Sequence, residues 1–281
     1  MASGINRLAV KVREKFYSGE ARLPVLPEAV VRVRAIVGDD TKGAHDIAEA
    51  IRQDSTLSTT VLRLANSARF NPGGREVRSL PAAIQRLGGR RTLQLLIAIS
   101  SKLLIRVSHP LLLEIHRESS AHALRIAVTA QTLARVIRDS DPEEVFLAGL
   151  LHDVGVLAVV CAVPDELLAC AADELRRCVD MLHREMGGRL LLHWEMPLCF
   201  SQVAVHHGIE SEDRPRERLI DFVDAAEFLL GLFARNGPIS ASGMDNMPAV
   251  RRLGVTETHL AAVRVGLEEG IGELQGVLGG G

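Results

Sequence analysis

Val145-Phe-Leu-Ala-Gly-Leu-Leu-His-Asp-Val-Gly-Val-Leu-Ala-Val-Val160 is apolar or glycine at every position but two, and those two are a histidine and an aspartate side by side. Directly before it stands Asp141-Pro-Glu-Glu144, a capping acid, a first-turn proline and two first-turn acids that announce a helix. Such a segment must be largely buried, and an isolated buried carboxylate is expensive. Asp153 is read as lying near the end of this helix, shortly before Gly155, where the macrodipole disfavours an anion by roughly 0.3–1 kcal/mol. Something cationic has to offset it. A divalent metal held by His152 and Asp153, a protonated histidine or an arginine would each serve.

Outward from this segment the chain reads as helix after helix. Downstream, helices are expected over Pro164–Cys178, Met181–His193, Leu198–His207 and Leu219–Ala234, then a loop at Asn236–Pro248. A weaker terminal helix, Thr256–Leu278, carries Gly266, Gly270 and Gly272. Upstream, a helix of about 25 residues covers Leu111–Arg138 after the break at Ser108-His109-Pro110. Further upstream, Leu23-Pro-Val-Leu-Pro-Glu28 opens a helix with Val30, Val33 and Val37 at helical spacing, closed by Gly38. His45–Arg52 and Thr56–Ala68 follow, then a turn at Asn71-Pro-Gly-Gly74. A helix starts at Ser79-Leu80-Pro81, ends at Gly88-Gly89, and gives way to a long apolar helix from Arg91 to Ile105. The fold class expected is all-α, a multi-helix bundle. Its parts are an N-terminal helical extension (1–19), a helical half (20–108), a second helical half (109–230) and a C-terminal loop and helix (231–281).

Composition excludes several classes of function. With 47% hydrophobic and 24% charged residues among 281, the chain has the make-up of an ordinary globular protein, and 3% aromatic argues against a sandwich or barrel. Lys and Arg number 33 against 35 Asp and Glu, a net charge of −2, so no broad positive field gathers nucleic acid non-specifically. Cys161, Cys170, Cys178 and Cys199 fit neither a metal knuckle nor a disulfide framework and read as reduced core residues. Charges are scattered through Met1–Lys15, unlike a signal peptide. The apolar runs Leu93–Ile99 and Val154–Val163 fall short of the roughly 18 residues of a membrane span. A cytoplasmic protein is expected.

Where the other histidines fall is informative. His122 belongs to the stripe Ile115, Ser119, His122, Ile126, Leu133, Ile137, an inward-facing line on which a lone histidine is more often a core residue than a ligand. His183 starts the helix Met181–His193, and His206-His207 end the next. Asp224 shares its helix with Asp221 and Glu227, which read equally well as a wetted face. Together His122, His152-Asp153, His183, His206-His207 and Asp224 recur at intervals of one or two helices. Oxygen and imidazole ligands without thiolate suit Fe, Mn, Mg or Zn, whose chemistry would be activation of a water for phosphoester hydrolysis. Arg86, Arg90 and Arg91, around Gly88-Gly89, are a weaker candidate for holding phosphate or a nucleotide; a solvated helix end is the plainer account. Asn66 and Ser67 read as a polar pair closing a helix.

The order His122, His152-Asp153, Asp224 resembles the HD superfamily of metal-dependent phosphohydrolases, and His183 and His206-His207 are similar to the added ligands of its two-metal members. Leu23-Pro-Val-Leu-Pro-Glu28, Leu62-Arg-Leu-Ala-Asn-Ser-Ala68 and Ser79-Leu-Pro-Ala-Ala-Ile-Gln-Arg-Leu-Gly88 resemble the HDOD family in particular. The resemblance covers about residues 20–230 and implies one helical bundle, an N-terminal half packed on an HD-like half. It implies metal ligands at His122, His152, Asp153, His183, His207 and Asp224, and a role in bacterial signal transduction more than in turnover. Two departures from active relatives weaken catalysis: Val156 stands where hydrolases of the superfamily commonly have a phosphate-facing lysine, and no Gly-Tyr-Pro phrase follows His206-His207. The alternative is a metal-dependent phosphodiesterase acting on a nucleotide or cyclic dinucleotide. No receiver or output domain is read in the chain, so the signal is expected from a signalling protein in trans or from a small ligand.

Overall fold

A computed structural model describes residues 2–21, 24–67, 70–71, 73–103, 109–163, 171–210, 214–234 and 247–278. Among them are fourteen α-helices and no strand. The first six are α1 (Ala2–Tyr17), α2 (Glu28–Val37), α3 (Ala44–Ile51), α4 (Ser55–Asn66), α5 (Leu80–Leu87) and α6 (Gly89–Leu103). Then come α7 (Pro110–Ile137), α8 (Pro142–Leu151), α9 (Gly155–Ala162), α10 (Ala172–His193), α11 (Leu198–His206) and α12 (Arg218–Ala234). The last two are α13 (Pro248–Leu253) and α14 (Glu257–Leu278). Two units result: Val25–Leu104 with Glu268–Gly281, and Met1–Pro24 with Ile105–Leu267.

In the first unit, short helices are tied at their ends by side chains. Asp54 Oδ1 accepts the Leu57 N–H at 3.0 Å to cap α4, and Asp46 accepts the Gly43 N–H at 2.9 Å at the start of α3. Asn66 clasps the chain beyond α4: its amide donates to Val77 O at 2.7 Å and its Oδ1 accepts the Val77 N–H at 2.8 Å. Apolar stripes then meet inside, with Val30, Val33, Ile51, Val61, Leu64 and Ile84 all buried. Each such side chain contributes about 1.5–3 kcal/mol when taken fully out of water.

The second unit is built around α7 to α12. Its N-terminal helix belongs here: Leu8, Ala9, Val12 and Phe16 of α1 are buried, and α1 packs on α9 and α10. Arg13 pairs with Glu185 at 2.7 Å, and Arg189 lies 4.3 Å from the Tyr17 ring centre. The single tryptophan, Trp194, is buried and donates to Pro24 O at 2.9 Å. The apolar segment Pro142–Ala162 has a mean hydropathy of 2.2 over 18 residues, enough by length and composition to cross a bilayer, but 89% of that window is buried by the protein itself.

Several boundaries differ from the sequence expectation. The apolar segment is two helices: α8 stops at Leu151, and α9 restarts at Gly155. Asp153 therefore follows the end of α8 and precedes the start of α9, where the second dipole favours an anion. The expected break between Cys178 and Met181 is absent, because no glycine or proline interrupts the buried line Cys178, Val179, Leu182, Met186, and His183 lies inside α10. Gly88 alone, at φ +85, ends α5, while Gly89 already belongs to α6. Met247 and Pro248, expected at the end of a loop, cap and open the short α13. Residues 164–170, where a helix start was expected, Cys170, and most of the loop expected at 236–248 lie outside the described residues.

Candidate metal centre

Four histidines and two carboxylates converge inside the second unit. His122 comes from the middle of α7, His152 and Asp153 from the α8–α9 junction, His183 from α10, His207 from the end of α11 and Glu227 from α12. Two glycines let the helices close on one another. A Cβ on Gly149 would lie 2.6 Å from Ala127 Cα of α7, and a Cβ on Gly155 would lie 1.7 Å from His183 O of α10. Only a residue without a side chain permits either approach.

The rings run in file. Centroids are 5.4 Å apart for His122 and His152, 4.9 Å for His152 and His207, and 5.4 Å for His207 and His183. Asp153 lies along this file with its oxygens divided: Oδ2 is 3.7 Å from His152 Nε2, and Oδ1 is 3.6 Å from His183 Nε2 and 3.4 Å from His207 Nε2. Glu227 Oε1 is 3.4 Å from His152 Nε2 and 3.8 Å from His122 Nε2. These separations are long for hydrogen bonds. They match the spacing of atoms around one ion, since ligands about 2.1 Å from a metal at the tetrahedral angle are roughly 3.4 Å apart.

Orientation of the rings follows from their other nitrogen. His152 Nδ1 faces Gly149 O at 2.8 Å, His183 Nδ1 faces Val179 O at 3.1 Å, and His207 Nδ1 faces Val203 O at 3.2 Å. A carbonyl only accepts, so each Nδ1 carries the proton, and each Nε2 is turned toward the carboxylates. His152 is 1% exposed, and its Nε2 is buried without a hydrogen-bond partner. An orphaned imidazole nitrogen among carboxylates fits a divalent cation. The groups fall into three overlapping triads: His122, His152 and Asp153; His152, His207 and Glu227; Asp153, His183 and His207. The cluster is thus compatible with a metal ion.

Charge is strongly coupled in the cluster. Burial works against a charged His152, but Asp153 and Glu227 outweigh it and push the imidazole up to about 9. Burial also opposes the Asp153 carboxylate, yet the facing His152, then His207 and His183, hold it well below the usual range. Glu227 is lowered likewise, against its burial, by His122 and His152. Burial pushes His183 down, toward the neutral form that a metal takes.

Asp224 stands apart from these groups. Its Oδ1 accepts the Gly208 N–H at 2.8 Å, its Oδ2 accepts from Arg214 at 2.8 Å, and burial raises its carboxyl to about 6 against both. The carboxylate that α12 contributes to the cluster is Glu227, one turn further on. From sequence it was one acid among three on a face that read as wetted; its spacing from Asp224 on an otherwise apolar helix was the available signal. His206 is likewise outside the triads. Of the three arginines around Gly88, Arg86 donates to Ala65 O at 2.9 Å and Arg75 O at 2.7 Å, which commits its guanidinium to closing α4 and the loop beyond. Arg90 borders a cavity of about 440 Å³.

A second cavity, of about 580 Å³, opens onto the cluster between α7 and α12, lined by His122, Arg125, Glu227, Leu230, Gly231, Phe233 and Ala234.

Residues 23–209 match the profile of the HDOD domain. In sequence, the chain is 24% identical over 220 residues to an uncharacterized protein of Treponema pallidum (strain Nichols); the match takes in 74% of this chain and 42% of that protein's length. In structure it is similar to a candidate metal-dependent phosphohydrolase from Shewanella amazonensis SB2B, with a TM-score of 0.71, 20% identity, and 94% of this chain and 99% of that one covered. It is also similar to an HDOD domain protein of unknown function from Geobacter sulfurreducens, with a TM-score of 0.65, 22% identity and 98% of each chain covered. A candidate signal transduction protein from Marinobacter aquaeolei VT8 gives a TM-score of 0.60 at 20% identity, over 96% of this chain and 66% of that one. At these identities the likeness speaks for the fold, which is all-helical.

Proposed function

The chain belongs to the HDOD domain family, and we propose that it is a cytoplasmic signalling module whose histidine–carboxylate cluster holds a divalent metal for organisation and regulation more than for turnover. One observation carries the metal: His152 Nε2, buried and without a partner, faces two carboxylates while Nδ1 of His152, His183 and His207 is each engaged by a carbonyl. His122, His152 and Glu227 would hold one end of the site, and His183 and His207 the other. Asp153, its two oxygens facing different histidines, would serve both. When bound, an ion of the Fe, Mn, Mg or Zn class supplies a Lewis acid and lowers the pKa of a water it holds.

Regulation is favoured over turnover because Val156, 5% exposed, supplies no cation where the resembling hydrolases have a lysine. The input would come from a signalling protein in trans or from a phosphorylated small ligand. A second reading, hydrolysis of a nucleotide or cyclic dinucleotide, draws support from the 580 Å³ cavity, which places the exposed Arg125 one turn from His122. The test is metal analysis of untagged protein, wild type against His152→Ala/Asp153→Ala, with a phosphodiester substrate screen on both. Stoichiometric metal lost in the variant without turnover in either supports the first reading. Turnover abolished by the variant transfers the case to the second, and a folded wild type that takes up no metal refutes the second reading and the metal in the first, leaving the signalling module to be tested by partner capture.

A further inference from the structure

A buried ion pair lies behind the cluster. Asp224 and Arg214 have side chains 1% and 6% exposed and meet at 2.8 Å. Arg214 is also 2.9 Å from Glu210 and 3.2 Å from Asp221, and Asp221 accepts from Arg252 of α13 at 2.7 Å. As a stabilising device a desolvated pair of this kind achieves little, since well-packed apolar residues in its place are often neutral or better. The pair's second contact points to a different task. The free oxygen of Asp224 accepts the N–H of Gly208, which sits at φ +68 immediately after His207. That bond secures the turn by which the chain leaves α11, and His207 is the residue on that turn.

We propose that Asp224, held in place by Arg214, is a positioning residue for His207: it keeps the imidazole at the Asp153 end of the cluster and does not itself ligate. The inference rests on the reading of the cluster as a metal centre, and it differs from the ligand role that the superfamily pattern implies for Asp224. Both oxygens of Asp224 are already engaged, and Glu227 supplies the α12 carboxylate. The Glu210, Asp221 and Arg252 contacts extend the same support to α13.

Two substitutions separate positioning from ligation. Asp224→Asn keeps an oxygen for the Gly208 N–H but gives up the charge, whereas Asp224→Ala removes both. Chelator-stripped protein is titrated with Zn2+ and Co2+ by calorimetry and visible absorption. The Asn variant is expected to stay close to wild-type affinity, and the Ala variant to lose about 10- to 100-fold, the usual effect of removing a partner that orients a ligand. Should Asp224→Ala fail to fold, Arg214→Met/Asp224→Leu removes both charges together and is expected to show the same loss. Equal losses in Asn and Ala would make Asp224 a ligand, and no loss in either Ala or the double variant would leave it without a role at His207; each overturns the proposal. Exchange of the Gly208 amide, slow in wild type and Asn and fast in Ala, judges the positioning without any metal. A wild type that binds no ion but keeps this pattern therefore defeats the metal reading alone, and a Gly208 amide equally slow in Ala defeats the positioning.

Discussion

Replacing Gly155 by alanine adds one methyl group, and the structure leaves it nowhere to go. The new Cβ would lie 1.7 Å from His183 O, 2.6 Å from Gly187 N and 2.7 Å from His183 C, all of them backbone atoms of α10. Backbone cannot rotate aside as a side chain can, so α9 and α10 would have to part by about 2 Å to reach an ordinary contact. Overpacking of this kind costs about 3 kcal/mol or more, which in a domain of this size is a fall in Tm of roughly 6–12 °C. Separation would also draw His183 away from Asp153, now 3.6 Å distant. The control is Gly231 in α12, exposed and with nothing within 4 Å of a built Cβ. There alanine only removes the glycine penalty in a helix and should stabilise by about 0.5–1 kcal/mol. Gly187→Ala falls between, its Cβ 3.0 Å from Gly155 N. The assay is urea unfolding followed by far-UV circular dichroism, with metal content measured alongside. A Gly155→Ala midpoint equal to or above wild type would refute the close-crossing argument.

The remaining predictions concern charge and hydrogen bonding. In metal-free protein the raised His152 stabilises the fold fully below its ordinary value of 6.5, and this stabilisation, about 3 kcal/mol, is lost as pH rises through about 9; the depressed Asp153 and Glu227 contribute above the ordinary carboxylate range, and their share is lost on acidification. Thermal melts across pH, with and without metal, should show the alkaline loss only without metal. Because His152 must give up a proton to ligate, metal affinity should rise about tenfold per pH unit up to about 9, and calorimetry in buffers of different ionisation enthalpy should detect proton release; affinity independent of pH would contradict a charged His152. Asn66→Ala leaves both Val77 backbone groups without their partner and should cost about 1–3 kcal/mol in urea unfolding. Trp194→Phe keeps most of the ring volume but strands Pro24 O, for a loss of about 1–2 kcal/mol.

How far the sequence could be read depended on whether the deciding interaction was local. Asp141-Pro142 announced α8 and Ser79 announced α5, because capping is settled within a few residues: Asp141 accepts from Glu143 N at 2.9 Å and Ser79 from Ala82 N at 3.4 Å. The restart of a helix at Gly155 was hidden, as was the close approach of α10 from across the unit that only a glycine there permits. The same holds for α1, whose buried stripe was visible only as an extension. At the site, His152-Asp153 stood out as a polar pair in an apolar run, and order along the chain drew His122, His183 and His207 to it. Asp224 and Glu227 could not be ranked by order. One turn separates them, and the partner that engages Asp224, Arg214, sits in a stretch of irregular chain with no pattern of its own.

The cluster gathers its side chains from His122 through Glu227, which bears on the order of events during synthesis. A chain emerging from the ribosome has α7 and α8 available long before α12, and domains of this kind assemble as their segments become available. Until Glu227 emerges, His152 lacks one of the two carboxylates that face it in the finished protein. A nascent chain halted before α12 would carry a helical core with an incomplete polar heart. The whole cluster is therefore assembled only once α12 is in place, and an ion held by all of it could be taken up no earlier.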